Sequence, residues 1–523
     1  MRTERLGDLD GPVAAVGGVG HPEMMAGDRV RTELLGDLDG PVAAVDRAGT
    51  IALLDAGWRI GWAVGAGDRW HIAAEEKAVR TRLVEGMPVA ATSMRVPGGD
   101  VVQRAAAVRD ASGRGVVLEF VNESAGPVSV ALAVSGSTST ARVRGSRLLA
   151  DGRVALALDR TPGGAAAVSD DEVWRAVRAG PPAGDCEARS RSGLAAAAVL
   201  VPLAVGVPLR LTLPVAGQPV EARPPERVAA GWLSLVSRAA SVALPDETAE
   251  RAWLRGIAAC ILAAGGAGAA RASRAAVVLD RVGLPDEADR GREVILRASA
   301  GSLPAAGDAV AGLRALASRR LRSGRVSGLA EWAGPLVDAA GDHLDALTLA
   351  QVVSALEPEA PAAARDARRL LAETPALGPE VPAAARDARR LLAETPAPDP
   401  VTPSAASDAR VEATVRDSIA FGGDGLAGIE AVLDCLVAEA ADHIVMVPAL
   451  PAAWRGASAD ALSIVTRHGT LSFSVRWHGT RPAVLWDLQQ PRSAEGRAVG
   501  LRCGLDPSWS APGSAGEALL NPA

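Results

Sequence analysis

The sequence predicts a multidomain β + α protein: an N-terminal antiparallel β-sandwich, a central domain of stacked helical hairpins and a small C-terminal β unit. Two observations predict it. Apolar residues recur at every second position towards both ends of the chain, and at every third or fourth position in the middle. The chain has 523 residues, 48% hydrophobic and 22% charged, which is enough for two to four domains with sizeable cores.

The N-terminal part opens on a duplication. RTERLGDLDGPVAAV at 2–16 returns as RTELLGDLDGPVAAV at 31–45, with one difference in fifteen positions. Solenoids need three or more diverged copies, so two near-identical copies read as a local duplication. Residues 1–30 are therefore expected to be an appendage, and 31–226 the sandwich. Trp58, Ile60, Trp62 and Val64 alternate, as do Val116, Leu118 and Phe120, and then Val128, Val130, Leu132 and Val134. Pro97-Gly98-Gly99-Asp100 and Ala111-Ser112-Gly113 supply turns between such runs. Alternating tryptophans in a sandwich are expected in its core. Leu194–Leu213 is the most apolar stretch, but Pro202, Pro208 and its period-two second half read as strands rather than a spanning helix.

Residues 227–445 change to helical spacing. Trp253, Ile257, Ile261 and Ala264 form one stripe, Val310, Leu313, Ala317 and Leu321 another, and Leu426, Ile429, Leu433 and Leu436 a third. Pro245-Asp246-Glu247 is a helix-start signal. PAAARDARRLLAETPA at 361–376 recurs unchanged at 382–397, inside a stretch punctuated by prolines. Residues 446–523 return to period two, with Leu471, Phe473, Val475 and Trp477 on one face and His468-Gly469-Thr470 expected as the hairpin turn.

Composition excludes several functions. Lys+Arg is 55 and Asp+Glu 61, a net charge of −6, which does not suit a nucleic-acid partner. Lys77 is the one lysine and follows Glu76, so neither a phosphate-binding GxxxxGK[ST] loop nor an SxxK nucleophile is present. No two of the six histidines are spaced as in HExxH, and no metal or other cofactor is expected. Four scattered cysteines read as reduced, mostly buried thiols, and the N-terminus lacks a secretory pattern. The expected location is cytoplasmic, with no membrane partner.

Three segments carry a resemblance. MVPALPAAWRGASADALSIVTRHGTLSFSVRWHGTRPAVLWDL at 446–488, GLDPSWSAPGSAGEALL at 504–520 and the run from Gly57 to Val108 resemble actinobacterial glycoside-hydrolase-like proteins. These belong to the glucoamylase-related six-hairpin glycosidase superfamily. The resemblance covers about half the chain, mainly its two ends. It implies a β-sandwich, an α/α toroid of six hairpins and short closing β elements. It also implies carboxylate catalysis at the toroid mouth beside sugar-stacking aromatics. Gly423-Asp424-Gly425 matches a family motif, but the acid segment expected before it is replaced by SDARVEATVRDSIAF. Twelve helices of about 11–12 residues with connections of about 4–6 would use nearly all of 227–445. Little is left for long catalytic loops, so the toroid is expected either closed or incomplete.

Glycoside cleavage requires one protonated and one ionised carboxyl group. Glu331, beside Trp332 in SGLAEWAGPLVD, is the candidate acid, with Trp332 as a sugar platform; Asp424 is the candidate base or substrate-orienting residue. Plainer readings stand beside these: a helix-end Glu next to a core Trp, and an Asp N-cap. Glu75-Glu76 reads as a solvated face or a salt bridge to Lys77 or Arg80. Arg319-Arg320-Leu321-Arg322 reads as a solvated helix end. The expected function is glycoside hydrolase-like, on a carbohydrate substrate; the alternative is an inactive relative that binds carbohydrate or protein.

Overall fold

A computed structural model describes residues 31–216, 218–266, 268–299, 306–323, 405–420, 422–440, 442–491, 499–512 and 514–521, with isolated positions at 333, 336, 337, 339, 340 and 352. The N-terminal appendage, Glu331, Trp332 and both Ala/Arg repeats lie outside the described residues.

The alternating runs become two antiparallel sheets. One has eight strands, with Trp58–Gly65 paired to Val128–Gly136, and Val128–Gly136 to Ala196–Leu203. The other has nine, centred on Gly99–Asp110, Gly113–Asn122 and Leu209–Pro214. They share one apolar core. Trp58, Ile60, Trp62 and Val64 enter it from the first sheet, and Val116, Leu118 and Phe120 from the second. Trp62 and Phe120 meet across the interface with ring centroids 5.4 Å apart. Trp62 Nε1 donates to Ala48 O at 2.8 Å, so the indole's one polar atom is satisfied inside the core. The apolar stretch Leu194–Leu213 supplies strands Ala196–Leu203 and Leu209–Pro214. Among the described residues no helix is long and apolar enough to cross a membrane.

Eight α-helices are described: α1 (Val173–Arg178), α2 (Pro225–Val236), α3 (Glu247–Gly266), α4 (Ala269–Arg281), α5 (Pro285–Ser299), α6 (Ala306–Ser323), α7 (Ala405–Ile419) and α8 (Gly425–Leu436). Asp246 Oδ1 accepts the Thr248 N–H at 2.8 Å, which satisfies one of the amides that every helix start leaves open. The predicted stripe Trp253, Ile257, Ile261 and Ala264 is buried, as is Leu426, Ile429, Leu433 and Leu436. α3 packs against α4, α5, α7 and α8. Its approach to α8 depends on missing side chains: a Cβ on Gly256 would stand 2.5 Å from Ile429 Cβ.

Two further sheets close the chain. A five-stranded one contains Ala459–Thr466, Gly469–His478, Arg481–Gln489 and Ala515–Leu519. Its edge strand, Ser241–Ala243, comes from the helical segment and pairs with Ala459–Thr466. A four-stranded sheet joins Val437–Glu439 and His443–Met446 to Gly500–Cys503 and Asp506–Pro512. Helices and both closing sheets share one hydrophobic cluster, from Trp253 on α3 to Phe473 and Leu501 on the strands. The hairpin turn falls one residue earlier than expected. Thr466 pairs with Gly469, leaving Arg467-His468 at the tip. Gly469, at φ +139°, already belongs to the ladder.

Candidate functional site

A cavity of about 830 Å³ lies between α4, α6 and α8, with Val437–Glu439 and the Arg467 turn as its further wall. Helical periodicity builds it. Arg274 and Arg281 lie two turns apart on one face of α4, as do Arg314 and Arg322, with Ser318 between, on α6. Glu430 and Asp434 stand one turn apart on α8. Val277 and Val310 give apolar patches between these charges.

Each carboxylate on the wall faces an arginine. Arg274 holds Glu430 with two contacts, one at 3.3 Å from Nε to Oε1. Arg281 Nη1 reaches Asp434 Oδ1 at 3.4 Å, and its Nη2 donates to Val437 O at 3.0 Å. Glu439 is the most enclosed. Its Oε1 accepts Arg322 Nη2 at 2.5 Å and its Oε2 accepts the Arg467 backbone N–H at 2.8 Å. Burial opposes the charge on Glu439, but Arg322, Arg281 and Arg467 together outweigh it and hold the carboxyl down to about 2. Burial and the neighbouring Arg322 push the Arg467 guanidinium below its ordinary range. The early turn matters here, because it places Arg467 at the tip, against Glu439.

The run at Arg319-Arg320-Leu321-Arg322 is not a solvated helix end. Arg319 Nη1 stands 3.0 Å from Asp280 Oδ1, and Arg322 is tied to Glu439. Arg292 Nη1 reaches the other Asp280 oxygen at 2.9 Å, so one buried carboxylate joins α4, α5 and α6. Burial pushes the Asp280 carboxyl up, against the pull of Arg292 and Arg319. Sequence spacing gives no sign of this network, because its members meet only when the helices pack.

Asp424 occupies the N-cap position of α8, and its carbonyl accepts the Gly428 N–H at 3.1 Å. Its carboxylate makes no cap bond. It pairs instead with Arg271 Nη2 at 2.9 Å, where both side chains are 42% exposed. Arg271 follows Ala270, which lines the cavity; Asp424 itself does not line it. The preceding loop is pinned from the sandwich side. Gly422, at φ +71°, donates its N–H to Glu33 Oε1 at 2.6 Å, and Glu33 pairs with Arg255 of α3 at 2.7 Å. Burial raises the Glu33 carboxyl despite Arg255. Glu33 thus gives the hairpin at 31–45 a role in placing the Gly-Asp-Gly segment. In the sandwich, Glu76 pairs with Arg69 at 2.7 Å and with His71 at 3.0 Å, and Glu75 with Arg178 at 2.9 Å. They are salt-bridged as expected, but to partners other than Lys77 or Arg80.

Comparison with known proteins gives little. No protein-family model matches the chain, and no curated protein sequence does. Among solved structures, a bacterial glucoamylase complexed with acarbose is similar over 73% of this chain and 69% of its own, at 10% identity and a TM-score of 0.45.

Proposed function

We propose that the chain is a glycoside hydrolase-like protein acting on carbohydrate, with its site in the helical part. The observation that carries this reading is the cavity between α4, α6 and α8. Its volume, about 830 Å³, falls in the range of about 300–1,000 Å³ usual for small-molecule sites. Its walls combine apolar patches with convergent carboxylates and guanidiniums, which suits a ligand that presents both ring faces and hydroxyls.

In this proposal Glu331 donates the proton to the leaving oxygen and Trp332 stacks on the sugar. Asp424, paired with Arg271 beside the cavity rather than in its lining, activates water or aligns the substrate from that edge. Glu439 is unsuited to the acid role: a carboxyl held at about 2 is ionised at neutral pH and has no proton to give.

The test is release of reducing sugar from a panel of α- and β-linked oligosaccharides by wild type, Glu331→Gln and Asp424→Asn. The expected result is turnover by wild type and a loss of about 100-fold or more in each variant, with circular dichroism unchanged. Absence of turnover, with a sugar still raising the melting temperature, would establish a binding relative in place of the enzyme.

A further inference from the structure

Among the described residues that line the cavity, arginines outnumber carboxylates. Five described arginines line it (274, 281, 314, 322 and 467), with three described carboxylates (Glu430, Asp434 and Glu439). The excess is concentrated at one end, where Arg281, Arg322 and Arg467 converge on the single carboxylate of Glu439. Arg322 satisfies that carboxylate directly. Arg467 adds its backbone N–H, while its side-chain Nε stands 3.5 Å from Glu439 Oε2 and makes no hydrogen bond. Arg281 Nε is likewise buried without a hydrogen-bond partner among the described residues. The ionic partner of Arg281, Asp434, is 74% exposed, so the pair is loosely held. Both guanidiniums are mostly buried, at 14% and 18% exposure, and both line the cavity.

Guanidiniums taken out of water are costly unless a counter-charge meets them. Their planar forks match a carboxylate or a phosphate. We propose that this end of the cavity binds the anionic group of an acidic sugar, a uronate or a sugar phosphate, between Arg281 and Arg467. The sugar half rests on the function proposed above; the oxyanion half stands on these two arginines. The ring of such a ligand extends towards Val277 and Val310, and its hydroxyls reach Glu430.

Isothermal titration of the full chain separates the two halves. The probes are a glucuronate disaccharide, glucose 6-phosphate, the neutral glucose disaccharide and inorganic phosphate. They are titrated into wild type, Arg467→Gln and Arg281→Gln, with melting temperatures measured in parallel. The expected result is that an acidic sugar binds at least tenfold more tightly than the neutral one. Each variant removes that preference, and raising salt weakens it. Which acidic sugar wins tells carboxylate from phosphate. Phosphate binding that is lost in Arg467→Gln, with no sugar bound, would uphold the oxyanion site and reject the carbohydrate reading. Equal binding of neutral and acidic sugars, or a preference that survives both variants, would overturn the oxyanion site and leave the carbohydrate reading intact. If a variant melts far below wild type, the wild-type ratio of acidic to neutral affinity alone decides: a ratio near one overturns the inference. No binding of any probe overturns both.

Discussion

The sandwich and the helical half solve burial differently. Between its sheets the sandwich core is aliphatic and aromatic, and Trp62 and Phe120 mark its centre. The helical half also has a continuous apolar cluster, but buried charge runs beside it. Asp280 holds Arg292 and Arg319, and Glu439 holds Arg322 and Arg467. A dry core is stabilised by area removed from water and is insensitive to pH. A charged network is stable only while every member is paired and ionised. The lesson is that the cavity sits where the molecule accepts the more conditional form of stability.

The sharpest way to break this contrast is to damage each region separately. Trp62→Ala should cost about 3–5 kcal/mol by opening a void between the sheets and orphaning Ala48 O. Chemical denaturation at neutral pH measures it, and the loss should not change with salt. Glu439→Gln should cost about 3 kcal/mol, because three guanidiniums lose their shared anion. Acid should act in the same place. Glu439 is depressed in the folded state, from an ordinary value near 4.5 to about 2. Its contribution is therefore complete above pH 4.5 and lost as pH falls towards 2, a loss of about 3 kcal/mol in all. Wild type should lose stability across that window by this amount more than Glu439→Gln does; equal acid sensitivity would remove Glu439 from the explanation. The smallest effect sharpens the comparison at one helix start. Asp246→Ala should cost about 1 kcal/mol by removing the cap on Thr248. The melting temperature checks it, with no change in ligand binding.

Local pattern was legible because it is local. The period-two runs at Trp58–Val64 and Leu471–Val475 and the helical stripe at Trp253–Ala264 bury the faces their spacing predicts. Asp246 caps α3 from a position next to the helix it starts. The site was less legible. Asp424 is a candidate only through a motif, and its carboxylate turns to Arg271, 153 positions away, rather than to its own helix. Glu439 gave no signal at all, because its partner Arg322 is separated from it by 117 positions.

By itself, the sequence determined the main strand runs and helical stripes and which face of each is apolar, but not the helix Val173–Arg178 inside the sandwich or the strands Val437–Glu439 and His443–Met446 at the end of the helical stretch. That information is carried by neighbours two to four residues apart. Only the tertiary structure decided that Ser241–Ala243 joins a sheet made by the end of the chain, that the basic run on α6 is a structural anchor, and that three arginines gather on one carboxylate. The physical reason is range. Backbone preference and hydrophobic period act along the chain, whereas an ion pair depends only on distance in space, and that distance is set when the helices and sheets close on a common core.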